Sequence, residues 1–502
     1  MKVFQVCLGL LLSMSLILSV GVARADSEEN NSRIQNLQAD VEDLQSLVSA
    51  LQEQVTQLTN QVAPLQALTD YVYVDTRALN GLIGPHVIIE GANLHVQNGS
   101  GDFSSINGRG NLIVGYNPCP NGDCVEMNYG RDGSHNLVVG GEHEYPSYGG
   151  VVAGWHNLIY RPHSSVTGGR NNLAYHDYSS VSGGRGNVAD NDSASVSGGS
   201  NNVATGKYSS VTGGRGNFAT GDYSSITAGA GNKASGEAAS ISGGAGHWYG
   251  AEGDYSSISG GVENRTLGYG SSVSGGSYNT ASVYYASVSG GTNNVASGYN
   301  ASVSGGTDNV ASGSTASVSG GADNTASFRE ASVSGGRYNQ ANGNYASVSG
   351  GEHNTASYDA ATVSGGTENT ASGNWSTVSG GWDNTASEKW TTVSGGYQNT
   401  ASSNGATVSG GEYNLARSPS SSVCGGSFNT AWGFAASISG GRENVARGNY
   451  SSISGGHTNK TMVSSGAWSS VSGGANNSAN HEYSTVSGGQ YEATSVNYDH
   501  VP

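Results

Sequence analysis

Four cysteines, twelve histidines and abundant serine are the side chains of this 502-residue chain best suited to chemistry. Cys119 and Cys124 flank Pro120-Asn121-Gly122-Asp123, a turn-forming run, so a local disulfide in an oxidising compartment is the expected use of that pair. A zinc site would need a second Cys or His pair at ligand spacing nearby, and the sequence has none. The histidines are scattered, and the chain carries no Gly-x-Ser-x-Gly, no His-Glu-x-x-His and no P-loop signature. Gly184-Arg185-Gly186-Asn187-Val188-Ala189 mimics a dinucleotide fingerprint, but its glycines and alanine belong to turns of a repeat. The glycine-rich units also lack the regular Asp of calcium-binding nonapeptides. These residues point away from an enzyme, and no cofactor or metal is expected.

What does recur is two arrays suited to binding. The fourteenth position of a fifteen-residue repeat is often aromatic, as at Tyr285, Tyr345, Trp375 and Trp390. Such rings could stack on sugars or grip a partner, or they could form an edge ladder that shields turns and packs between protomers. The second array is the hydroxyl pair flanking each core valine, such as Ser287 and Ser289, or Thr392 and Ser394. A flat hydroxyl lattice could order water or bind ice; small residues packed at a subunit interface would look the same. The sixth and seventh positions change freely, as in Thr367-Glu368, Trp382-Asp383 and Arg442-Glu443. Ligand specificity is expected there or in two insertions, residues 247–252 and 460–466.

These arrays need a regular scaffold, and the repeat supplies it. From Ser165 onward the chain holds 22 copies of one unit, typified by SVSGGTNNVASGYNA at residues 287–301. A period too short for a helix pair predicts an all-β solenoid of two short strands and two turns per coil. Alternation buries the Val or Ile of the first strand, and the Gly290-Gly291 pair lets the backbone turn at positive φ. Asn stands at the eighth position in 20 of the 22 copies. Asn294, Asn309 and Asn324 are therefore expected at corners, in left-handed conformations, with their amides stacked in a ladder. Ala296 at the tenth position suits a narrow interior, and Cys424, where serine usually stands, reads as a small buried substitute. At about 4.8 Å per coil the array would span roughly 105 Å.

Residues 1–25 read as a secretory signal peptide: Lys2, an apolar run, then Ala23-Arg24-Ala25 before a cleavage expected at Asp26. No second apolar span follows, so no transmembrane segment is expected after cleavage, and the signal peptide leads one to expect an extracellular or cell-surface location. Residues 26–70 form a coiled coil of five heptads from Ile34 and Leu37 to Val62 and Leu65, with Pro64 ending or kinking the last. β-Branched residues at a with Leu at d favour two strands, whereas uncharged flanks such as Gln38, Gln45 and Gln52 tolerate three. Residues 71–149 read as a β-rich connector or N-terminal cap, and residues 150–502 as the roll. Only 11% of residues are charged, and the net charge of −17 excludes nucleic-acid binding by a basic surface.

The SVSGGxxNxASGxxA unit resembles the head repeat of trimeric autotransporter adhesins, the YadA-like β-roll. It differs in its fifteen-residue length, in the glycine that replaces the family's isoleucine, in its corner Asn, in the coil preceding the roll, and in the absence of a C-terminal anchor. GRGNLIVGYN at residues 108–117 and GSHNLVVGGEH at residues 133–143 resemble exported bacterial proteins carrying the same repeats. The resemblance implies a left-handed parallel β-roll and a homotrimer. A thin roll of Val and Ala buries little apolar area by itself, so three chains also make physical sense. The expectation is an exported, non-enzymatic, trimeric adhesin presenting variable turn residues to a host or environmental glycan or protein surface. The alternatives are a purely structural spacer or filament subunit, and an ice- or water-ordering hydroxyl array.

Overall fold

The computed structural model describes residues 28–119, 130–462 and 467–502. The signal peptide, Cys124 and part of the second insertion fall outside the described residues. The chain divides into two units, Met1–His95 and Val96–Pro502. In the first, a single helix α1 (Glu28–Thr69) leads into an antiparallel pair, β1 (Val72–Asp75) and β2 (His86–Ile89), with Val72 opposite Ile89. Helix α1 continues through Pro64 rather than ending there. Proline removes one N–H from the helical ladder, and the turns on either side still close. The heptad row lies open along this helix, with Leu37, Leu44, Leu51, Leu58 and Leu65 all more than half exposed.

The second unit is a parallel β-solenoid of about 24 turns. It begins upstream of the fifteen-residue periodicity: β3 (Leu112–Val114) pairs in parallel with β4 (Leu137–Gly141), and β4 with β5 (Val151–Trp155). From β5 the ladder passes to the first strand of each repeat, Ser165–Val166, then Ser180–Val181, and so on to His500–Val501. The second strands, such as Val295–Ala296 and Val310–Ala311, stack in a ladder of their own. Sixth-position residues form a third row of parallel bridges, from Trp155 with Arg170 to Ala475 with Gln490. A middle coil shows how completely the backbone is used: Ser302, Ser304, Thr307, Val310 and Ser312 all donate N–H bonds of 2.8–2.9 Å to the following coil.

The interior is a column of Val or Ile from the second position and Ala from the tenth, for example Val303 at 1% and Ala311 at 0% exposure. Where Thr replaces that Ala, a serine waits beside it. Thr266 bonds Ser256 at 3.0 Å, Thr461 bonds Ser451 at 2.8 Å and Thr494 bonds Ser484 at 3.0 Å. A buried hydroxyl is tolerated because it has a partner. Cys424 corrects one expectation: it is exposed, because the third position follows the inward-facing Val423 and so points outward.

Asn at the eighth position is fully buried, and its side chain bridges its own coil and the next. Asn309 donates from Nδ2 to the carbonyls of Gly305 (2.9 Å) and Gly321 (3.0 Å), and its Oδ1 accepts the backbone N–H of Asn324 at 3.0 Å. Asn294 and Asn324 make the same set. The ladder is thus mainly amide to backbone rather than amide to amide. The left-handed conformation expected at these asparagines lies one residue earlier: Asp308 has φ 55° and Asn293 φ 56°. Of the glycine pair only the second turns in this way, Gly291 at φ 86° and Gly306 at φ 88°.

His247 occupies the asparagine place in its coil. Its Nδ1 accepts the Asn264 N–H at 2.9 Å, as an amide oxygen would. Burial pushes this imidazole, and that of His143 in the equivalent place upstream, below the ordinary histidine value of 6.5. In the window between that lowered value and about 6.5 the unfolded chain binds more protons than the folded one, so stability rises with pH there and is lost on acidification. Hydrogen exchange between pH 7 and pH 5 should therefore show protection falling around His247. His247→Asn should abolish the local fall; an unchanged fall in that variant would exonerate the imidazole.

Candidate binding surface

Two positions per coil carry left-handed backbone, and both face solvent. The seventh and fourteenth residues hold φ between 50° and 71° in all 22 repeats, and in every repeat but the last each directly precedes a buried residue at the eighth or fifteenth. Glycine or asparagine is the inexpensive choice at such φ. Gly270, Asn300 and Gly405 do stand at the fourteenth position. Elsewhere bulky rings stand there: Tyr285 (φ 57°), Tyr345 (φ 59°), Trp375 (φ 56°) and Trp390 (φ 59°), each 50–56% exposed.

The rings form clusters rather than one continuous stripe. Trp375 and Trp390 stack on adjacent coils with centroids 6.1 Å apart, and Lys389 Nζ lies 3.8 Å from the Trp390 centroid. Tyr345 is separate, with the Arg329 guanidinium 5.6 Å over its ring. Tyr285 meets Tyr269 and Tyr299, from the thirteenth position, edge to face. Four coils separate Tyr285 from Tyr345, about 19 Å along the ladder. The longest column is C-terminal: Tyr450, Trp468, Tyr483 and Tyr498 stack at 5.1, 5.1 and 4.9 Å. The sequence signal for the thirteenth-position tyrosines is weak, because tyrosine stands there in only three copies, at Tyr269, Tyr284 and Tyr299. A second aromatic row runs through the variable turn, where Tyr413 stacks on Phe428 at 4.7 Å.

The hydroxyl pair is less of a lattice than its spacing predicts. First-position side chains such as Ser287 are half-buried, and only third-position ones such as Ser289 are exposed. Strand Ser332 and Ser347 hydroxyls bond each other at 3.2 Å, which withdraws them from water.

The first insertion is a bulge of Trp248-Tyr249-Gly250 before Ala251, which keeps its bridges to Ala234 and Thr266. Arg265 lies 5.3 Å over the exposed Tyr249 ring and pairs with Glu252 at 3.2 Å. A neighbouring depression of about 430 Å³ is lined by Glu252, Asp254, Leu267, Tyr269, Val283 and Tyr284. Cys119 is disulfide-bonded, and Arg131 Nη1 donates to its Sγ at 3.3 Å. Among the described residues no group of three His, Cys, Asp or Glu could hold a metal ion, and no helix is long and apolar enough to cross a membrane. The chain matches no protein-family model and no curated protein sequence.

Proposed function

We propose that the protein is an exported trimeric fibrous adhesin, a left-handed β-roll rod that presents aromatic and variable turn residues to glycan or protein surfaces. The observation that carries this reading is the placement of Tyr and Trp on left-handed backbone at the fourteenth position. A bulky residue there costs about 1–2 kcal/mol relative to its preferred conformations, and the Gly and Asn found in sister coils show that the fold does not need a ring. Exposed rings kept at that cost fit a surface that binds. The signal-like N-terminus supports export, and the YadA-like repeat supports the handedness and the trimer.

Replacing Tyr345, Trp375, Trp390, Tyr450 and Trp468 together by asparagine tests the reading, because asparagine suits the backbone at each site. Thermal stability should hold or rise, while adherence to cells or to arrayed glycans and matrix proteins should fall at least tenfold. Stacking of ring on ring along the rod favours a second reading, a structural spacer whose rings only shield turns. A spacer would lose stability in this variant, with no adherence to lose.

A further inference from the structure

We propose that the row Arg170, Arg185 and Arg215, with Trp155 at its upstream end, binds a sulfated polysaccharide chain. The inference deepens the adhesin reading by naming the ligand class of one face, and rests on that reading for access to the ligand.

Trp155, Arg170, Arg185, Ser200 and Arg215 are successive parallel partners in the sixth-position row. With rungs about 4.8 Å apart, three guanidiniums fall within about 14 Å along the rod. All three arginines are exposed. Like charges stacked on one face repel, so the arrangement calls for a compensating anion. Elsewhere in the same row the chain supplies one itself. Arg337 Nη2 meets Glu352 at 2.6 Å, and Arg442 Nε meets Glu443 at 3.0 Å. No such carboxylate stands at the sixth or seventh position from Trp155 to Gly231, and among the described residues these three guanidiniums meet no acid. Arg185 and Arg215 are instead followed by Gly186 and Gly216, which carry no side chain.

The chemistry narrows the ligand. A guanidinium fork matches two oxygens of a sulfate and keeps its charge at any physiological pH. Trp155 lies over Gly141, where a Cβ would come within 2.8 Å of the ring, yet it is 49% exposed. It therefore offers an apolar platform of the kind that takes the flat face of a sugar ring, one rung from Arg170. The Ser200 hydroxyl between Arg185 and Arg215 can bond a sugar hydroxyl. The row runs along the ladder, so a linear polymer with repeating anions fits it better than a compact anion. Duplex nucleic acid fits less well, because its bases are stacked inside the duplex and leave the Trp155 platform no exposed ring face to take.

Binding of the mature chain to immobilised heparin, desulfated heparin and duplex DNA tests the assignment. The wild type should bind heparin in a salt-dependent manner and leave the other two unbound. The Arg170→Gln/Arg185→Gln/Arg215→Gln variant should lose at least tenfold in affinity and Trp155→Ala a smaller factor, while Arg337→Gln/Arg442→Gln should bind as the wild type does. Equal heparin binding by the triple variant and the wild type, or DNA binding as tight as heparin binding, would overturn the assignment. A wild-type chain that adheres to cells yet ignores heparin would also overturn it and leave the adhesin reading standing. Heparin binding that depends on the row, by a chain never found outside the cell, would support the site and defeat the adhesin reading.

Discussion

Gly306→Ala should unfold the coils around it, whereas the same change at Gly305, one residue earlier, should leave them intact. At Gly306 the backbone is left-handed, with φ 88°, and a Cβ would sit 2.1 Å from the Gly321 carbonyl oxygen and 2.4 Å from Asn309 Nδ2. Neither neighbour can retreat, since one is backbone of the next coil and the other is the buried ladder amide. Strain of about 1–3 kcal/mol from φ alone adds to an overlap that only separation of the coils relieves. At Gly305 nothing lies within 4 Å of the same atom, and Ala228 already occupies that position in another copy. Hydrogen exchange should show protection lost over residues 287–331 in Gly306→Ala, with distant coils unaffected in a nearest-neighbour solenoid. Similar exchange in the two variants would mean that the close coil-to-coil contact is not what fixes the second glycine.

The second large effect belongs to the ladder. Asn309→Val should leave the buried Asn324 N–H and the half-buried Gly305 carbonyl without their side-chain partner. At about 1–3 kcal/mol for each orphaned group, the loss should reach about 2–6 kcal/mol. Asp308→Ser should cost about 1 kcal/mol or less, because the side chain faces solvent and Thr458 and Gln398 stand at its position elsewhere. Asp308→Val should cost more than Asp308→Ser, since the left-handed backbone penalises a β-branched residue here and not at Asn309. Thermal melts of the three variants give the order directly. Equal melting of Asn309→Val and wild type would show that the recurring asparagine is not structural.

The parts of this fold legible in the sequence are those governed by alternation and by strict period. Val303 and Ala311 announce the interior because period-two burial repeats every fifteen residues. The corner was legible only to within one residue. Asn marks a turn by type, but the backbone turns at Asp308, and Asn309 is retained for the side-chain bonds that join its own coil to the next. The glycine pair looked uniform, yet only Gly306 meets a contact that forbids a side chain. Cys424 misled because a small residue at a regular position does not reveal which way the strand faces there. The coils from Leu112 to Gly141 were hidden because the residues between Val114 and Leu137 break the period while the parallel pairing continues. Of the binding surface, the rings of Tyr285, Tyr345, Trp375 and Trp390 were visible by spacing. Their grouping into patches was not, because it depends on which rungs carry Ala360 or Thr315 instead.

Two features have no cause within one chain. The heptad leucines of α1, from Leu37 to Leu65, are more than half exposed, although five heptads of apolar residues need a partner to be buried. The first glycine of the pair recurs in every copy but that of Ala228, although the space before Gly290 and Gly305 is open. A neighbouring chain against that face would account for glycine where the coil itself tolerates alanine, and would add apolar burial to a slender interior. In the function proposed above, three chains joined in this way would form the display rod. Sedimentation equilibrium of the purified chain at micromolar concentration measures this directly. The expected result is the mass of three chains, stable on tenfold dilution; a monomer or a dimer under those conditions would contradict it.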